Sequence, residues 1–213
     1  MSAATLHRFA QTHPVGVHIG DQASALSAIQ NPRCAAAIWQ RQPLPSFQNW
    51  IDTLDPNRLP TARIVLRPDR ARDALGAICD DAKTPNGAER ARLIDDIAAL
   101  ATLFAEVTSA RYLRLRLDAV TTNACRKFHV DAITARLVCT YRGTGTQYGT
   151  AKPGNDPSRI FTTPTGAPIV LRGQNWPEKP RANLLHRSPP IAGTGETRLL
   201  LVLDKVEDPE NAI

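Results

Sequence analysis

The run Cys125-Arg126-Lys127-Phe128-His129-Val130-Asp131, answered much later by His186, holds the residues whose types and spacing could do chemistry. On a β-strand side chains alternate, so His129 and Asp131 project from one face. A third ligand from a distant strand, His186, completes a two-histidine, one-carboxylate set. Such a set holds a divalent metal on one side and leaves the other side open to substrate, which is what non-haem Fe(II) oxygen chemistry requires. The chain has five histidines, and the other three fall at positions 7, 13 and 18, so few competing assignments exist.

The same residues support other readings. Cys125 precedes His129 by four positions, and its thiolate would make a fourth ligand. A site of Cys125, His129, Asp131 and His186 suits tetrahedral Zn(II), which makes a zinc-binding protein without oxygenase activity the alternative. Cys125 also fits as a small packed residue. His129 and Asp131 fit a surface pair on an edge strand. His186 fits a histidine bonded to backbone at a strand end, just before Pro189 and Pro190 end that strand. A binding module on a cupin-like barrel, with any metal incidental, is a third reading.

The elements that must position these residues change character near residue 110. Residues 23–29 and 47–54 read as short helices, 34–40 as a buried apolar stretch, and 62–66 as a strand. Residues 69–82 carry Ala71, Ala74, Leu75, Ile78, Cys79 and Ala82 on one stripe. Residues 87–107 carry Leu93, Ile97, Leu100, Phe104 and Val107 at helical spacing, with Asn86 as the expected cap and an Arg92–Asp96 pair. From Arg111 the period becomes two, as Leu113, Leu115 and Leu117 alternate with charges. Further strands are expected at 127–132, 136–141, 159–162, 167–172, 183–186 and 197–203, with turns at 143–145 and 153–157. The expected fold class is α+β: a helical region over 1–110 packed on a double-stranded β-helix (a jelly roll, cupin-like) over 111–213, as one compact unit.

Composition bounds the function classes. Hydrophobic content of 42% and charged content of 22% fit a globular protein, and no apolar run is long enough for a membrane span. Residues 1–11 lack a basic region followed by an apolar core, so a cytoplasmic protein without membrane association is expected. The four cysteines form no C-x-x-C pair, which argues for reduced thiols. The net charge of +6 comes from dispersed basic residues with interleaved carboxylates and few aromatics. That pattern points to solvated surface charge or a site for a small anionic substrate, and away from nucleic acid.

The His129-x-Asp131 run, the segments Arg136-Leu137-Val138-Cys139-Thr140-Tyr141-Arg142-Gly143-Thr144-Gly145-Thr146 and Leu185-His186-Arg187-Ser188-Pro189-Pro190, and the closing Arg198-Leu199-Leu200-Leu201-Val202-Leu203-Asp204 together resemble a bacterial family, domain of unknown function 1826. The resemblance is dense over the C-terminal half. It implies a link to metal homeostasis through zinc-responsive genes. Gln147-Tyr148 departs from the family, where an acidic residue and a tryptophan are more usual. More distantly the layout is similar to the 2-oxoglutarate-dependent Fe(II) dioxygenases. That similarity implies His129, Asp131 and His186 as metal ligands and 2-oxoglutarate as co-substrate. It also implies Arg198 as the clamp on the co-substrate's far carboxylate, a task that suits a guanidinium fork. Tyr141, Thr146, Trp176 and Arg187 are expected to line the pocket, with Tyr141 close enough to bind the co-substrate.

Overall fold

The computed structural model describes residues 13–177 and 183–209. Its elements run β1 (Val17–Gly20), β2 (Ala36–Trp39), α1 (Pro45–Thr53), β3 (Ala62–Leu66), α2 (Ala71–Asp81), α3 (Ala88–Thr108), β4 (Tyr112–Val120), β5 (Ala135–Arg142), β6 (Gln147–Thr150), β7 (Phe161–Thr162), β8 (Ile169–Arg172), β9 (Leu184–Arg187) and β10 (Arg198–Val206). Seven strands form a main sheet in the order β1-β2-β8-β5-β10-β4-β3, and three form a small sheet in the order β7-β6-β9.

Strand β10 organises the main sheet. It pairs antiparallel with β4 over nine residues and with β5 on its other side. Its sequence is an almost unbroken apolar run because both of its faces are covered. Leu199, Leu201 and Leu203 join the core that the helices close with Phe47, Ile51, Leu93, Ile97, Leu100 and Phe104. Leu200 and Val202 turn to a second core, where Ile38, Val138 and Ile169 of the main sheet meet Tyr148 and Leu184 of the small one. Each such side chain contributes roughly 1.5–3 kcal/mol by leaving water. The interior face of β10 thus carries Arg198, Leu200, Val202 and Asp204 in sequence.

The first 110 residues are mixed rather than helical. They place β1, β2 and β3 at the two edges of the main sheet. The helix-side core takes residues from both sides of position 110. Strand β1 is too short to show a period in sequence, and β2 is buried over Ala36–Ile38, so neither alternates. Helix α3 is capped by Gly87, at φ +147°, rather than by Asn86. The Asn86 Oδ1 instead accepts from the Arg90 Nη1 at 2.6 Å. Arg92 pairs with Glu89, leaving Asp96 to a bidentate ion pair with Arg41 at 2.6 and 2.7 Å. The expected strand over 127–132 contracts to one bridge, His129 with His186, and β6 forms just beyond the expected turn at 143–145, where no strand was expected. Among the described residues no helix is long and apolar enough to cross a membrane.

Tyr141 lies on the helix side of the sheet. Its buried hydroxyl donates to the Asp96 Oδ2 at 2.6 Å, and its ring meets Phe47 edge-on. Burial beside Asp96 pushes its pKa well above the ordinary value. The Tyr141→Phe variant should lose about 1.5–3 kcal/mol of stability, read by urea denaturation, with metal affinity unchanged. A loss of metal or co-substrate binding at full stability would contradict this placement.

Candidate metal centre

The segment carrying His129 and Asp131 has little regular structure, so its backbone is held by neighbours. The His129 N–H donates to the His186 carbonyl, and the His186 N–H to the His129 carbonyl, both at 3.0 Å. This reciprocal pair sets the two histidines directly opposite each other, with ring centroids 4.6 Å apart. Beyond it, Gln174 N–H donates to the Asp131 carbonyl at 2.8 Å, Asn175 N–H to Ile133 at 3.0 Å and Gly173 N–H to Thr134 at 2.8 Å. Gly173 is required for this approach: a Cβ there would stand 1.9 Å from the Ile133 carbonyl oxygen.

The side chains then converge. One ligand atom from each of His129, Asp131 and His186 lies within 4.8 Å of the other two. The Asp131 Oδ2 is 3.0 Å from the His186 Nε2, and its Oδ1 is 3.4 Å from the His129 Nε2. Neither ring directs a hydrogen bond at the Oδ2, which is buried without a hydrogen-bond partner. An orphaned buried carboxylate oxygen beside two imidazole nitrogens fits a cation better than it fits an ion-free core. The His129 Nδ1 lies 2.9 Å from the Lys127 carbonyl. That contact makes Nδ1 the protonated nitrogen and turns the Nε2 lone pair toward the centre.

Electrostatics favour the ligand forms of Asp131 and His186 but oppose that of His129. Burial pushes the Asp131 carboxyl up, but the two histidines and the Arg136 charge overcome this and hold it well below the usual carboxylate range. Burial pushes His186 down, keeping it neutral. The Asp131 hydrogen bond pushes His129 up. The sequence reading missed the group behind Asp131. Arg136 Nη1 meets the Asp131 Oδ1 at 2.6 Å, while its Nε and Nη2 grip the two oxygens of Asp204 at 2.7 and 2.9 Å. Asp204 is 2% exposed. A lone carboxylate in the apolar β10 run is the signal that could have found this pair, since such a group needs a cation.

The other candidates scatter. Cys125 is exposed, at φ +51°, and stands outside the three-residue cluster. Arg198 is 1% exposed at the deep end of the interior face. Its Nε donates to the Thr144 carbonyl at 2.6 Å and its Nη2 to the Thr140 Oγ1 at 3.4 Å. Among the described residues it has no carboxylate in ion-pair range. Thr146 is buried beside the small sheet, where its carbonyl accepts from Thr163. Arg187 stacks on Phe128 and donates to Gln147. Trp176, with Arg172 over its ring, lines a cavity of about 290 Å³ next to Val130 and Leu184.

His129→Ala and His186→Ala should each abolish binding of a divalent metal by a folded chain, measured by equilibrium dialysis with circular dichroism as the fold control; full occupancy in either removes that residue from the set. Metal must displace the His129 proton, which is held more tightly than in free histidine. Affinity should therefore fall as pH drops through the His129 range, beginning above the ordinary 6.5, and level off at higher pH. Affinity unchanged between pH 8 and 6 would contradict this.

Several solved structures are similar to this chain. The dioxygenase for auxin oxidation 1 from Arabidopsis thaliana, in binary complex with 2-oxoglutarate, is 10% identical with a TM-score of 0.51, covering 93% of this chain and 95% of that one. The rice dioxygenase for auxin oxidation is 12% identical at 0.48, covering 92% and 84%. An oxidoreductase of the 2OG-Fe(II) oxygenase family from Burkholderia pseudomallei is 15% identical at 0.43, covering 91% and 95%. The first of these establishes likeness of fold. No curated protein matches the chain in sequence. The match to the family described as protein of unknown function (DUF1826) spans residues 20–204, a range that takes in the three converging residues, Arg136, Arg198 and Asp204, and the chain belongs to that family.

Proposed function

We propose that this protein is an Fe(II)- and 2-oxoglutarate-dependent oxygenase on a double-stranded β-helix. The observation that carries this reading is the convergence of His129, Asp131 and His186, with the buried Arg198 on the same side of the main sheet and, among the described residues, no carboxylate in ion-pair range of it. The likeness of fold to a 2-oxoglutarate-bound dioxygenase supports it.

His129 and His186 would hold the metal through Nε2 and Asp131 through Oδ2, the oxygen that Arg136 leaves free. Fe(II) with bound 2-oxoglutarate supplies oxidative decarboxylation of the co-substrate coupled to hydroxylation of a C–H bond. The chain's own part is positioning. Arg136 fixes the Asp131 carboxylate in one orientation, and Asp204 fixes Arg136. Arg198 sits three inward positions from Asp204 on β10, with Leu200 and Val202 between. Its guanidinium, bonded only to neutral oxygens, would receive the far carboxylate in place of water, and Val138, Leu200 and Val202 would exclude water around the chain of the co-substrate.

With metal bound, Arg198→Ala should weaken 2-oxoglutarate binding about tenfold or more and leave metal affinity unchanged, both measured anaerobically by titration calorimetry. Unchanged co-substrate affinity would remove Arg198 from the site. Bound zinc that neither Fe(II) nor 2-oxoglutarate perturbs would contradict the oxygenase reading itself.

A further inference from the structure

The face of the main sheet that carries Asp204, Val202 and Arg136 continues sideways onto β4 and β3. There Arg63 of β3 stands directly opposite Arg116 of β4, and Arg116 opposite Val202 of β10. Directly opposed residues share a face, with Cα atoms about 4.5–5.5 Å apart, so the two guanidinium groups rise side by side. Their row is one step deeper than the Asp204–Arg136 row that ends at Asp131.

Like charges in this relation destabilise a sheet unless something lies between them. Among the described residues nothing does. The Arg116 Nε is buried without a hydrogen-bond partner. Among the described residues neither Arg63 nor Arg116 has an ion pair. Asp118, the next residue on this face of β4, pairs with neither, and Asp204 is committed to Arg136. Among the described residues no carboxylate pairs with either arginine, while Arg116 is half-buried.

We propose that Arg63 and Arg116 form a binding site for a phosphate group on the small-molecule substrate, beside the metal centre. This rests on the oxygenase reading and adds to it the chemical class of the substrate. Two adjacent guanidinium forks match a dianion with three acceptor oxygens better than they match a single carboxylate. The pair shares its sheet face with Asp204 and Arg136, and Arg136 reaches Asp131, so a phosphate anchored there would leave the rest of its molecule on the face that leads to the three converging residues.

The test uses the metal-free full chain titrated with inorganic phosphate, followed by ³¹P NMR. Phosphate should bind the natural protein, and Arg116→Gln and Arg63→Gln should each weaken it about tenfold or more. Arg63 is exposed on an edge strand, so its variant keeps the test valid if Arg116→Gln folds poorly. Binding that survives both substitutions, or acetate binding as tightly as phosphate, would overturn the site or its phosphate class. Mn(II) added afterwards should broaden the bound phosphate signal, and the broadening should vanish in His186→Ala. Phosphate held by both arginines without broadening, in protein that binds Mn(II), would overturn the substrate assignment alone. Failure to bind Mn(II) would overturn the metal reading, and with it the substrate role, while the anion site itself stood on the phosphate titration.

Discussion

Two reciprocal backbone hydrogen bonds between His129 and His186 hold the rest of the site in register. They join residues 57 positions apart in sequence, and they are the whole of the regular pairing in the segment before Asp131. The strand that would normally present a His-x-Asp pair is here reduced to this single bridge. The burden passes to residues 173–175, whose amides take the carbonyls of Asp131, Ile133 and Thr134. Because Gly173 permits no side chain at that contact, the segment carrying His129 and Asp131 is clamped by backbone.

Charge within the barrel follows one line. Asp131, Arg136 and Asp204 alternate in sign from the candidate metal centre to the central strand, and Arg198 closes the far end of the same face. Burying ionised groups is costly unless each is paired. Asp204 and Arg136 satisfy one another, and Arg136 also fixes one oxygen of Asp131. What remains open is the second Asp131 oxygen, the Arg198 guanidinium and the Arg63–Arg116 pair. One is an anionic acceptor and the others are cations, and that division matches a site for a metal with anionic ligands.

Much of this was legible in the residues. The period-two pattern of β4 and the helical spacing over α2 and α3 gave those elements within a few positions, because each buries one face and exposes the other. The convergence of His129, Asp131 and His186 was legible from type and spacing. Strands β1 and β6 were not, being four residues long, too short for any period to emerge. Tyr141 was expected in the pocket, but it shares the helix-side face of β5 with Leu137 and Cys139 by simple alternation, and the Leu199/Leu200 register shift only brings Arg142 opposite Leu199. Arg136 escaped notice because its role depends on Asp204, sixty-eight positions away, a pairing only the folded sheet creates. The C-terminal residues 208–213, expected from sequence to be a loose tail, fall outside the described residues from position 210 on.

The central claim is that His129, Asp131 and His186 hold Fe(II) so that 2-oxoglutarate can join it. The most direct measurement is the visible spectrum of the purified chain under anaerobic conditions, with Fe(II) and 2-oxoglutarate added singly and together. The account predicts a weak charge-transfer band that appears only when both are present and is absent from His186→Ala. No such band, in protein that has taken up Fe(II) with one-to-one stoichiometry, would contradict it.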